Sequence, residues 1–236
     1  MTERPPAKTP TGLRARVRAE MTEEIKSVAR QHLSTDGANL SLRAVARDLG
    51  MASSAVYRYF ASRDELLTAL IVDAYNTVGE AAEQAAAQQA TPLGKWLAAA
   101  HAARDWALAN PHEWALIYGS PVPGYEAPQD TVLPATRLLL QMGAALAQAY
   151  RDGELAGREP ITGRFLDQLG PIAEQFYPGL PARFVADTIA AYFQLCGAIS
   201  YELFGQLRHS IEEDRRGFFE FQMRNAAATV GLTGPQ

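Results

Sequence analysis

The chain holds a single cysteine, Cys196, in 236 residues. One thiol excludes an intrachain disulfide and a metal site built from several cysteines. Cys196 lies in the apolar run Tyr192–Ile199 and reads as a small core residue. Lysine is almost absent: Lys8, Lys26 and Lys95 are the only three, so arginine makes up the rest of the 22 basic residues. The histidines (His32, His101, His112 and His209) are scattered, with no His-x-x-x-His spacing to suggest zinc, and no metal or cofactor is expected. No Gly-x-Ser-x-Gly elbow, Walker A loop or Gly-x-Gly-x-x-Gly fingerprint occurs, so enzymatic readings are poor. No run approaches the roughly 18 apolar residues of a membrane span. The first ten residues, MTERPPAKTP, are polar and Pro-rich, without the apolar region of a secretory signal. A cytoplasmic chain with no membrane partner is the expectation. No stretch sustains a period of two with β-branched enrichment, so no strand is expected.

What the chain does have is alanine, 42 of them, the best helix former, which points to an all-α fold. Hydrophobic content of 47% and charged content of 20% exclude disorder throughout. The length allows one large domain or two unequal ones. The net charge of −4 conceals an asymmetry. Residues 1–66 carry 11 Lys+Arg and 8 Asp+Glu, a net of +3, and residues 67–236 carry 11 and 18, a net of −7. A basic first quarter on an acidic body hints at an anionic partner for one end only.

Residues 1–12 read as a flexible arm. A first helix follows from Leu13, with Ile25, Val28, Ala29, His32 and Leu33 at helical spacing, and Asp36-Gly37 stops it. Ser41 is placed to cap a short second helix that Gly50 closes. A third covers 52–59. Ser62-Arg63-Asp64-Glu65 is a capping box opening a long helix to about Gln89. Further helices are expected over about 92–109, 113–118, 131–151, 161–177 (broken at Gly170-Pro171), 181–207 and 212–230, with a Pro/Gly loop at 119–128.

The segment SLRAVARDLGMASSAVYRYF, Ser41 to Phe60, is most informative. Two short helices share apolar positions and are joined by a Gly-containing turn, the sequence form of a helix-turn-helix. On the second, Ala55, Val56 and Tyr59 take one side. Ser53, Ser54, Tyr57 and Arg58 take another, as i, i+4 pairs. Short hydroxyls allow close approach to bases and phosphates, and Arg58 can take a phosphate or a guanine edge. Ser41 caps a helix N-terminus, a favourable place for a phosphate as well as a plain structural role. Arg63 could reach a phosphate from the next helix. Lys8, Arg14, Arg16 and Arg18 of the arm suit a minor-groove or backbone contact.

The spacing sharpens this. Ala29-x-x-x-Leu33-x-x-x-Gly37, Ser41-Leu42-x-x-Val45-Ala46-x-x-Leu49-Gly50-Met51, Val56-Tyr57-x-Tyr59-Phe60 and Ser62-Arg63-Asp64-Glu65-Leu66-Leu67 together resemble the TetR (tetracycline-repressor-like) family of bacterial transcriptional regulators. The resemblance covers about 45 residues. The family usually has Ile at position 45, His at 59 and Lys at 63. By that resemblance Ser41 and Arg43 would touch the DNA backbone, Ser53, Ser54, Tyr57 and Arg58 would make groove contacts, and Arg63 would hold a phosphate. Tyr59 belongs to the same set, with its own contact left open between DNA and core. The stretch Ala109–Tyr125 also looks like one C-terminal subgroup of that family.

The body, 67–236, shows helices apolar around more than one stripe, above all 181–207 and the last helix. Such helices bury two faces, one of them against a partner subunit. In TetR-like proteins these two helices form the homodimer interface. Aromatics of the middle helices could line a small-molecule site; the candidates are Trp96, Arg104, Trp114, Tyr118, Phe165 and Phe193, each equally a core residue. His101 stands one turn from Arg104 and could join them. The expectation is a homodimeric, palindrome-reading repressor, with a head over 1–66 and a body over 67–236, released from DNA by a small-molecule effector. Two alternatives stay open: a helical small-molecule-binding protein or enzyme with a vestigial helix-turn-helix, and a ligand-independent architectural dimer.

Overall fold

The computed structural model describes residues 10–36, 40–155 and 160–233. Ten α-helices run through the described residues: α1 Pro10–Asp36, α2 Leu42–Asp48, α3 Ser53–Val56, α4 Arg63–Ala87, α5 Pro92–Ala109, α6 Pro111–Tyr118, α7 Val132–Arg151, α8 Phe165–Phe176, α9 Ala182–Leu203 and α10 Arg215–Thr229. Among the described residues the only β-pairing is an isolated bridge, Leu155 to Leu232. Contacts divide the chain into two units. One holds residues up to Ile71 together with Val122–Glu126, and the other Val72–Pro121 and the residues from Ala127 onward.

The first unit is assembled by its caps and by one apolar stripe. Ile25, Ala29 and Leu33 recur every fourth residue on α1 and are buried with Val45, Ala46, Val56, Phe60, Leu66 and Leu67. Ser41, in extended backbone, accepts from the Ala44 amide at a long 3.5 Å. Gly50 closes α2 at φ 65°, a left-handed backbone that glycine adopts without a Cβ clash. The Met51 amide bonds the Ala46 carbonyl (2.9 Å) and the Gly50 amide that of Arg47 (3.0 Å), the two bonds of a Schellman motif. In the capping box, Ser62 Oγ accepts from Glu65 N (3.1 Å), while the Glu65 carboxylate reaches back to the Ala61 amide, one residue earlier than expected. His32 Nε2 and Asp48 Oδ2, 2.7 Å apart, tie α1 to α2, and that bond holds the Asp48 carboxyl below its ordinary range. Tyr125 shares a hydrogen bond with Thr68 of α4 (2.8 Å).

The second unit is a bundle with α5 near its centre, packed on α7, α9 and α10. Trp96, Trp114, Leu138, Met142, Leu146, Leu195, Ile199 and Phe219 are fully buried, with alanines at many of the remaining core positions. Gly143 lets Tyr177 cross α7: a Cβ there would lie 2.0 Å from the phenol oxygen. Thr91 and Asp214 cap α5 and α10, accepting from Gly94 N (3.1 Å) and Gly217 N (2.8 Å).

Three boundaries differ from the sequence reading. The helix begins at Pro10, so Arg14, Arg16 and Arg18 belong to α1 and not to an arm. Good helix formers and an Arg16–Glu20 pair at i, i+4 (3.1 Å) carry the turn. The third helix is regular only over Ser53–Val56; tighter three-residue bonds then continue through Tyr59. Finally, α8 starts at Phe165 and passes unbroken through Pro171, whose missing amide frees only the carbonyl of exposed Asp167. Lys8, Gly37 and residues 1–9 of the arm lie outside the described residues.

Candidate functional site

In the first unit, burial sorts the helix-turn-helix side chains. Val56 and Phe60 turn inward, while Ser54, Tyr57 and Arg58 are exposed and Ser53 is half-buried. Tyr57 leaves 45% of its surface in water although it is large and apolar-faced. A hydrophobic side chain held out beside a cation and two hydroxyls is suited to a polar surface with flat groups, such as a DNA groove. Ser41 and Arg43 are exposed at the start of α2. Arg63 is half-buried, with Nη1 3.2 Å from Asp64 Oδ1. Tyr59 is half-buried, and the Arg18 guanidinium stands 5.1 Å over its ring. Arg18 was not expected there from sequence; nothing in the spacing of residues 18 and 59 marks the contact.

In the second unit, the structure groups some of the aromatics and separates others. Trp114 packs on Tyr118 with ring centroids 4.3 Å apart, and the Tyr118 and Tyr192 hydroxyls share a hydrogen bond of 2.8 Å. Tyr75 meets Tyr118 edge to face. Burial raises the pKa of the Tyr118 and Tyr192 phenols far above the usual tyrosine range, and it pushes the Cys196 thiol up to about 12, so these three groups are uncharged at neutral pH. Trp96 is buried elsewhere, its indole N–H donating to the Met223 carbonyl (3.1 Å). Phe165 and Phe193 point to the surface, 46% and 66% exposed. Arg104 is engaged by a partner the sequence reading missed: Glu202, which accepts from Nε (2.7 Å) and Nη2 (2.5 Å). The signal was an acid standing in the buried stripe Thr188, Ala191, Leu195, Ile199 of α9, where an unpaired charge is not tolerated.

His101 sits one turn before Arg104 on α5. Its ring packs on Phe219, Nε2 lies 3.5 Å from Glu220, and Nδ1 is buried without a hydrogen-bond partner. Desolvation, with Arg216 adding to it, lowers the His101 pKa despite Glu220 and Asp105. A base whose folded pKa is depressed contributes stability above its unfolded pKa, about 6.5. Below that pH the unfolded chain binds the proton first, and stability falls. Thermal melts between pH 7.5 and 5 are therefore expected to show a steeper acid loss for the wild type than for His101→Gln. Parallel curves would show that the ring protonates freely in the fold.

Residues 25–70 match the family described as "Bacterial regulatory proteins, tetR family", and residues 96–226 match "Tetracyclin repressor-like, C-terminal domain". An HTH-type transcriptional regulator of Mycobacterium tuberculosis, Rv1816, is 39% identical over 227 residues, covering 93% of this chain and 96% of that protein. Its Mycobacterium bovis counterpart, Mb1846, matches to the same extent, 39% identical over 227 residues. Among solved structures, the regulatory protein SCO4313 aligns with a TM-score of 0.75 at 32% identity, over 91% of this chain and 98% of that one. The structure of RolR in complex with resorcinol shares the fold, with a TM-score of 0.55 at 16% identity over 93% of this chain and 91% of that one. No helix among the described residues is long and apolar enough to cross a membrane. With Ser54, Tyr57 and Arg58 exposed beside half-buried Ser53 on a capped helix-turn-helix, and with relatives that match almost end to end, this chain belongs to the tetR family of bacterial regulatory proteins and is a DNA-binding transcriptional regulator.

Proposed function

We propose that the protein acts in the cytoplasm as a homodimeric repressor, with a head over residues 1–66 reading each half of a palindromic operator and a body over 67–236 receiving a small-molecule effector. The observation that carries the DNA reading is the exposed set Ser54, Tyr57 and Arg58 beside half-buried Ser53, flanked by Ser41, Arg43 and Arg63 for phosphates. Dimerisation is supported by a second apolar stripe on α9. While Phe184, Thr188, Leu195 and Ile199 are buried, Phe193, Gly197, Tyr201 and Phe204 lie exposed on another side, with exposed Phe221 on α10. A soluble monomer rarely leaves so many aromatics in water.

The body's uncharged cluster of Trp114, Tyr118 and Tyr192, with Tyr75 edge to face on Tyr118, favours a small neutral aromatic ligand, and RolR, which shares the fold, carries resorcinol. Such a ligand lowers operator affinity only by its differential affinity for a body conformation that separates the heads differently.

Selection of duplexes from a random library, paired with sedimentation analysis, tests the proposal. The expected result is a dimer in solution and an enriched motif with two-fold symmetry, its half-site centres roughly 34–36 Å apart or a multiple of that. A monomer that enriches no motif supports the rival reading of a helical small-molecule binder.

A further inference from the structure

We infer that Arg18 is a positioning residue for DNA recognition: from α1 it clamps the turn that carries Tyr57 and Arg58. The inference rests on the reading of that turn as the DNA-contacting element.

Regular helix ends at Val56: the Tyr57 amide still bonds Ser53 O (3.2 Å), whereas Arg58 N and Tyr59 N make the tighter three-residue bonds, to Ala55 O (3.2 Å) and Val56 O (2.9 Å), and Phe60 N shares the Val56 carbonyl (3.1 Å). A helix end leaves its last carbonyls without amide donors. Among the described residues, the donor that meets the Arg58 carbonyl is Nη2 of Arg18, at 3.0 Å. The same guanidinium lies over the Tyr59 ring at 5.1 Å. One cation thus holds two consecutive residues, Arg58 by a hydrogen bond to its carbonyl and Tyr59 by a contact over its ring. Arg18 is itself anchored on a regular part of α1, where Thr22 Oγ1 bonds back to its carbonyl (2.9 Å).

This geometry needs arginine and not merely positive charge. A guanidinium fork can donate to a carbonyl from one nitrogen while its central carbon lies over a ring; an ammonium has to serve both from a single nitrogen and has no plane to lay on the ring. Two of its consequences separate it from a phosphate contact. Lysine at 18 does not substitute, and the salt dependence of DNA binding does not change, because no phosphate loses its cation.

The test compares wild type, Arg18→Ala and Arg18→Lys. In the free protein, amide exchange of the peptide covering residues 53–61 is expected to speed up several-fold in both variants, with the melting temperature close to wild type because Arg18 is exposed. Binding is measured to the duplex that wild type enriches best from a random library and to a scrambled duplex of equal length. Both variants are expected to bind the selected duplex about tenfold more weakly, with unchanged scrambled-duplex affinity and an unchanged slope of log affinity against log salt. Wild-type binding by Arg18→Lys, with a slope reduced by about one per head in Arg18→Ala, would overturn the inference and make Arg18 a phosphate ligand. Unchanged amide exchange in both variants would overturn it as well. If wild type enriches no duplex, the DNA reading of the turn fails, while the exchange rates still decide whether Arg18 holds it.

Discussion

Glu202→Ala is expected to destabilise the protein by about 3–5 kcal/mol. Glu202 and Arg104 are buried, their side chains 5% and 8% exposed, and they meet fork to fork. The pair ties α9 to α5, and the ring of Phe219 on α10 lies over the guanidinium at 5.5 Å. Desolvating two ions is costly, so the pair as a whole adds little net stability over apolar residues of the same volume. Removing one partner is different. Arginine cannot shed its proton, so the bare guanidinium stays charged in a site that water scarcely reaches. Its contact to Asp105 Oδ1 is long, 3.4 Å, and Asp105 is already taken by Arg216 at 2.9 Å, so no second carboxylate stands ready. For a chain of this size a loss of 3–5 kcal/mol corresponds to a fall in melting temperature of about 6–20 °C. The double variant Arg104→Met, Glu202→Leu is expected to recover most of it, because neither charge is then left alone. Chemical denaturation of the three proteins checks both statements. A single variant that loses less than about 1 kcal/mol would mean that water reaches the site and the pair behaves as a surface bridge.

What could be read from sequence was local. Ser41, Gly50 and the Ser62–Glu65 box act within four residues of themselves, and they placed the second helix and the start of α4 correctly because capping chemistry is short-ranged. The stripe Ile25, Ala29, Leu33 is likewise a property of one helix. The contacts that remained hidden join residues far apart in the chain. Arg104 meets Glu202 across 98 positions, and Arg18 meets Arg58 across 40. No periodicity reports such a pairing, since it is fixed by how helices cross. Composition misled in two places. Proline inside α8 reads as a break, yet the one carbonyl it frees belongs to an exposed residue. Aromatics in the body read as one pocket, yet Phe193 faces outward on a second apolar stripe while Trp114 is buried and half-buried Tyr118 packs against the core. Amphipathicity shows that a helix has two apolar sides; it does not show which one meets the core.

Arg58→Ala is expected to weaken binding to the selected operator by about 1–3 kcal/mol per head if the guanidinium makes a bidentate contact to guanine. A two-fold site doubles the loss to about 2–6 kcal/mol, or about 30-fold to 20,000-fold in affinity. The fold is expected to survive, because the packing of this turn is carried by Val56 and Phe60, which are 0% and 5% exposed, whereas Arg58 projects outward. Its backbone carbonyl, which Arg18 uses, is kept in the variant. The pattern of the loss identifies the contact. A base contact relaxes the sequence preference at one position of each half-site and leaves the scrambled duplex bound as before. A phosphate contact weakens all duplexes alike and reduces the salt slope by about one per head. Tyr57 is separable by the same logic. Tyr57→Phe removes only the hydroxyl, while Tyr57→Ala also removes the exposed ring. A loss confined to Tyr57→Ala assigns the ring to an apolar contact such as a thymine methyl, and a loss in both assigns the hydroxyl to a hydrogen bond. Wild-type affinity in both Arg58→Ala and Tyr57→Ala would remove this face of the turn from the interface and leave Ser41, Arg43 and Arg63 to account for binding without sequence readout.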